Sequence, residues 1–123
     1  APIVGADDLV TVRATLLVRE MRVGDVSVDV GDEVVKIGTG TMGTVTGVSL
    51  SPTLREVPTA EGELRVVESK LQQDVAITLE GKGRFAKGGV MMGDVLVAVN
   101  EQIDVKTPRF SAKATVYVLE IVE

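Results

Sequence analysis

The side chains that most often carry chemistry are either missing from this 123-residue chain or badly spaced. There is no His and no Cys, which removes an imidazole base, a thiolate nucleophile and the usual zinc ligands. Nucleophilic catalysis would need Ser or Thr activated by Lys. Ser69-Lys70 and Ser111 with Lys113 are the nearest pairs, and neither has the S-x-x-K spacing that sets both groups on one helical face. The adjacent carboxylates Asp7-Asp8 and Asp32-Glu33 point to opposite faces of an extended strand. A small carboxylate-based hydrolase would need such groups brought together across a cleft. Asp29, Asp32 and Glu33, around Gly31, form the densest acidic cluster and a candidate weak calcium site, since a turn offers oxygens. The cluster lacks the D-x-D-x-D-G spacing of a dedicated loop, and a solvated hairpin turn explains it more simply. Residues 81–89 set Lys82, Arg84 and Lys87 among glycines, a candidate contact for an anion or a partner through backbone N–H groups. The segment is not a phosphate-binding loop motif and no helix is expected after it, so a glycine-rich loop between strands is the simpler reading. No catalytic residue and no cofactor is expected.

Composition narrows the partners. Hydrophobic residues make up 45% and charged residues 25%, a globular balance that excludes disorder. The net charge is −5 and aromatics reach only 2%, so the chain lacks the basic footprint and stacking platforms that nucleic acid requires. It is equally unsuited to an anionic lipid surface. The longest apolar stretch, 90–99, is interrupted by Gly93-Asp94 and is too short to span a bilayer. Membrane association is therefore expected only through a segment absent from this sequence. The start at Ala1 rather than Met leads us to expect that a tag, signal peptide or anchor once preceded it.

Valine dominates the apolar residues, and it fits a pleated, half-buried surface better than a helix. Alternation marks strands at 9–18, 26–30, 74–79, 95–99 and 112–121. An internal repeat organises them. Residues 24–30 read G-D-V-x-V-x-V, and residues 93–99 read the same at an offset of 69, with Val34 falling on Ile103. Residues 10–16 resemble 74–79, and 44–48 resemble 114–118. The expected architecture is one all-β domain over 1–123, with half-repeats at about 9–50 and 73–121 and a Pro- and Gly-marked connector at 51–62. Two such halves, related by a pseudo-twofold, close into a small barrel or pack as a two-sheet sandwich. Val26, Val28 and Val30 should point into one core, with Val95, Val97 and Val99 as counterparts. Leu96 and Ala98, apolar on the other side, should be covered by the connector or by a neighbouring subunit.

The order of these pieces resembles a bacterial family known as domain of unknown function 4330, over nearly the whole chain. The resemblance rests on Val12-Arg13-Ala14-Thr15, Val30-Gly31-Asp32-Glu33-Val34, Gly43-Thr44-Val45-Thr46-Gly47-Val48, Val67-Glu68-Ser69, residues 74–81 and Val105-Lys106-Thr107. It implies an extracytoplasmic β domain held behind one hydrophobic segment, with no activity and no catalytic residues. Asn100-Glu101 stands where the repeat leads one to expect a Gly-Asp-like turn.

The expected function is thus a non-enzymatic interaction or structural module, the soluble part of a membrane-tethered cell-envelope protein that binds a protein partner or itself. The alternative is a secreted subunit that self-assembles into a filament or surface layer, adding its N-terminal arm (Ala1-Pro2-Ile3-Val4-Gly5) as a strand to a neighbour.

Overall fold

A computed structural model describes residues 9–24 and 26–122. It is all-β, with 75% of residues in strands and no helix among the described residues. The strands are β1 (Val10–Arg22), β2 (Glu33–Lys36), β3 (Gly40–Pro58), β4 (Leu64–Ala86), β5 (Gly89–Met92), β6 (Val95–Val97), β7 (Gln102–Thr107) and β8 (Phe110–Val122). They follow the order β1-β8-β7-β2-β3-β4-β5-β6, and β1 also pairs with β4. That extra ladder closes six strands into an antiparallel barrel, so of the two expected architectures the barrel is the one formed.

The valine alternation explains the closure. Val10, Val12, Ala14, Leu16 and Val18 of β1 are all buried while the residues between them face outward. Opposite them, Val75, Ile77 and Leu79 of β4 point into the same core. β5 and β6 continue from the end of β4, and Met92, Val95 and Val97 join this cluster.

Among the six barrel strands the pairings are unchanged when β1 is exchanged with β4, β2 with β7 and β3 with β8, while β5 and β6 have no counterpart. The β1–β8 and β4–β3 ladders swap, and so do β7–β8 and β2–β3, while β1–β4 and β2–β7 map onto themselves. The turns before β2 and β7 also share their bonds. Asp32 N donates to Asp29 O (3.1 Å), and Glu101 N donates to Ala98 O (3.2 Å). Gly31 N donates to Val45 O and Val45 N to Asp32 O (both 2.8 Å). Correspondingly, Asn100 N donates to Val116 O (2.7 Å) and Val116 N to Glu101 O (2.8 Å). Asn100 (φ 72°) takes the left-handed conformation held by Gly31 (φ 99°), which Asn tolerates better than most residues. The departure from a Gly-Asp turn thus leaves the geometry intact.

Three expectations need correction. Residues 26–30 form no strand: Val28 is buried, but Val30 is 68% exposed. Val95–Val97 pairs with β5 as a strand, whereas residues 26–30 pair with no strand. Val99 lies in the turn, half exposed. The match of 44–48 with 114–118 slips by one residue. Val45 corresponds to Val116, and each is followed by a one-residue bulge, at Thr46 and Tyr117; such a slip reverses every side chain's face. Finally, the supposed connector 51–62 is strand through Pro58, paired with β4, and Leu96 of β6 remains exposed.

Two glycines set how closely β3 and β4 approach. A Cβ on Gly81 would lie 2.4 Å from Met42 O, and one on Gly43 would lie 2.4 Å from Glu80 O. Backbone atoms cannot yield as a side chain does. Gly47 has only Thr78 Cβ nearby, at 3.9 Å. Gly81→Ala should therefore cost about 1–3 kcal/mol in urea unfolding, while Gly47→Ala should stay within about 1 kcal/mol of the parent. Equal midpoints for the two variants would show that close approach at Gly81 does not constrain the barrel.

Candidate interaction surface

Beyond the barrel wall, β3 and β4 continue as a two-stranded arm. The ladder runs from Leu54↔Glu68 to Pro58↔Leu64. It is turned by Thr59-Ala60-Glu61-Gly62, where Gly62 N donates to Thr59 O (3.0 Å) and Thr59 N to Glu63 O (2.7 Å). Gly62 sits at φ 83°, the left-handed residue that follows a type I turn in a three-residue hairpin loop. Thr59 Oγ1 also accepts from Glu63 N (3.2 Å).

Asp74 fixes the base of the arm. Its Oδ1 accepts from the Thr53 hydroxyl (2.8 Å) and from Glu20 N (3.1 Å). Thr53 stands between Pro52 and Leu54 opposite the four-residue bulge 69–72 of β4, and Glu20 lies in the bulge of β1 at φ 60°. One carboxylate oxygen thus ties together three strands where each leaves regular pairing. Thr53 is 1% exposed, so its donor has no access to water if Asp74 is lost.

The arm holds an unusual share of uncovered apolar surface. Leu54, Val57, Leu64 and Val66 are exposed on it, and Leu71 at its base is 76% exposed. The register sorts them. Leu54, Glu56, Pro58, Leu64, Val66 and Glu68 share one face, while Arg55, Val57, Arg65 and Val67 share the other. Both faces are therefore part apolar, and a lone two-stranded ribbon is marginal in water. Its edges differ too. The β3 edge carries Pro52 and Pro58, which blunt strand pairing. The β4 edge from Leu64 to Lys70 carries no proline and pairs with no other strand among the described residues.

At the base, Arg22, Arg55, Ser69, Lys70, Leu71 and Gln72 line an open hollow of about 560 Å³. Three cations meet there in a chain of net charge −5. Ser69 Oγ accepts from Leu71 N (3.2 Å) and Gln72 N (3.1 Å), and the Arg55 guanidinium donates to Gln72 Oε1. The pair Ser69-Lys70, weighed above as a nucleophile and its base, thus has its serine oxygen engaged in shaping a kink of β4.

The other sites expected from sequence lie elsewhere. Lys82 and Arg84 project from β4, not from a loop, and Lys87 stands in the β4–β5 turn. Lys82 Nζ donates to Thr11 Oγ1 (3.0 Å). Gly81, Gly83 and Gly89 all face backbone carbonyls within 2.4 Å of a built Cβ, so they serve close strand approach. Asp29 pairs with Arg109, Asp32 Oδ2 accepts from Asp29 N (2.9 Å), and Glu33 Oε1 accepts from Thr41 Oγ1 (3.0 Å). These carboxylates turn to different partners, and no three acidic groups among the described residues could hold one ion. Ser111 and Lys113 are exposed on β8. Asp7-Asp8 and the proposed N-terminal arm lie outside the described residues. Sequence reasoning missed the β3–β4 arm, although Thr59-Ala60-Glu61-Gly62 between two extended runs is the hairpin signal that marks it.

Replacing Asp74 by Ala should cost about 1–3 kcal/mol, because the buried Thr53 donor loses its acceptor, and amide exchange in 53–72 should quicken. Asp74→Asn, which keeps an acceptor oxygen, should fall well short of that loss. Identical unfolding curves for Asp74→Ala and the parent would remove Asp74 as the anchor.

No curated protein sequence and no solved structure matches the chain. A family model described as "Domain of unknown function (DUF4330)" matches residues 3–120. That span takes in the arm and all of the barrel but the last two residues of β8, and the chain belongs to the DUF4330 family.

Proposed function

We propose that this chain is a non-enzymatic interaction module of the cell envelope, held outside the cytoplasm, and that the β3–β4 arm is its contact element. The observation that carries this reading is the arm itself: a two-stranded ribbon with exposed Leu54, Val57, Leu64 and Val66 and an open, proline-free edge. Apolar surface of this kind, rimmed by charge, marks contact sites in folded proteins. The barrel interior, by contrast, is filled by side chains such as Leu16, Met42, Ile77 and Leu79, all at most 1% exposed, so chemistry on a bound small molecule has no room there. The family resemblance is what supports the extracytoplasmic placement and the tether.

The chain contains no cysteine, so a single one reports its own position. In cells carrying the intact precursor, Glu61→Cys at the arm apex should react with a membrane-impermeant maleimide before lysis. Labelling only after lysis would overturn the placement. A photo-crosslinking side chain at Leu64 should give a discrete adduct in the same cells, and one at Thr115 on the barrel should give none. Equal adducts from both positions, or none from Leu64, would refute the arm as contact element.

A further inference from the structure

Resting on the reading of the arm as contact element, we infer that its partner is a second copy of this chain, bound reciprocally through the β4 edges of two antiparallel arms. The charge layout of the arm favours this occupant. Its tip carries Glu61 and Glu63 flanking Gly62, with Arg65 one pair further in, while its base is the hollow lined by Arg22, Arg55 and Lys70, with Glu68 at the last pair before it. Two arms running antiparallel set each tip beside the other's base, so the same complementary contact forms twice. A twofold axis closes the assembly, as in most homodimers.

The strand chemistry agrees with the charge. An antiparallel twofold pairs residues of like face. A register in which Val66 meets the partner's Val66 sets Leu64 opposite Glu68. The turn that carries Glu61 and Glu63 then meets the partner's 69–72 bulge, beside its hollow. The edge offered, 64–70, is the one without proline, whereas Pro52 and Pro58 disfavour the β3 edge. Two marginal ribbons become one four-stranded sheet, long enough in the hydrogen-bonding direction to be stable. Pro58, Leu64 and Val66 from both copies form a single apolar strip on one face of it, with Leu54 set apart by Glu56 and Glu68. Charge at the ends fixes direction, because parallel arms would set tip against tip.

Sedimentation equilibrium over a concentration series, with the chain as it stands, tests this. The parent should associate to a dimer, and added salt should weaken it. The Glu61→Lys, Glu63→Lys variant should lose at least about tenfold in affinity, and so should Arg22→Glu, Lys70→Glu. An equimolar mixture of the two should recover a dimer, since each then presents what the other lacks. A parent that stays monomeric, reversal variants that associate like the parent, or a mixture that stays monomeric would each overturn the inference. Should a reversal variant fail to fold, Val66→Lys, at an exposed position in the middle of the edge, must be monomeric for the inference to stand. A monomeric parent together with a Leu64 adduct to a different protein would refute self-association and leave the arm as a contact element. A monomeric parent with no Leu64 adduct would refute both.

Discussion

The antiparallel ladder between β1 and β4 turns an eight-stranded sheet into a closed barrel, and nearly every other feature is arranged around it. Without it both strands would present open edges along most of their length. Its strength comes from the inward side. Leu16 of β1 lies opposite Ile77 of β4, and Ala14 opposite Leu79, all essentially buried. Each large aliphatic side chain so placed contributes roughly 1.5–3 kcal/mol. On the outward side, Arg13 and Glu80 form the ion pair that spans the same ladder (3.1 Å), with about a third of each side chain exposed. Pairs of that kind contribute at most about 1 kcal/mol. The seam is held by its apolar face, and the ion pair helps to fix register.

The strands that flank the seam, β3 and β8, both bulge beside it, at Thr46 and Tyr117. A bulge adds twist and bends the strand, which is what a small barrel needs at its corners. In each case the bulge follows a valine, Val45 or Val116, held through both its N–H and its C=O by the turn before β2 or β7. Bend and turn therefore form one unit, used at both ends of the twofold pairing plan. The unit tolerates different residues at its strained position, glycine in one copy and asparagine in the other.

How much of this the sequence displays depends on whether a segment has one dry face and one wet face. β1, the 74–79 stretch of β4 and the body of β8 have both, so alternation of valine with polar residues reveals them. Residues 26–30 alternate just as well, yet Val28 drops into the core from an irregular segment that pairs with no strand. The arm hides for the opposite reason. Both of its faces are wet, so apolar residues fall on each, no periodicity emerges, and Pro52, Pro58 and Gly62 read as loop punctuation. The site residues misled in a related way. The glycines around Lys82 and Arg84 look like an anion cradle in one dimension and prove to be points of strand contact in three. The cations of the hollow, Arg22, Arg55 and Lys70, are scattered along the chain and meet only because β1, β3 and β4 all lose regular pairing near Asp74.

The arm is continuous with the barrel wall, since each of its strands runs into the wall without a linker. A pull at the apex along the strand direction therefore loads the β1–β4 ladder lengthwise. Its hydrogen bonds then share the force and must fail together. A sideways pull would instead open the same ladder one bond at a time. The β3–β4 arm is thus a lever joined to the seam that closes the barrel, and it transmits tension along its axis far better than across it.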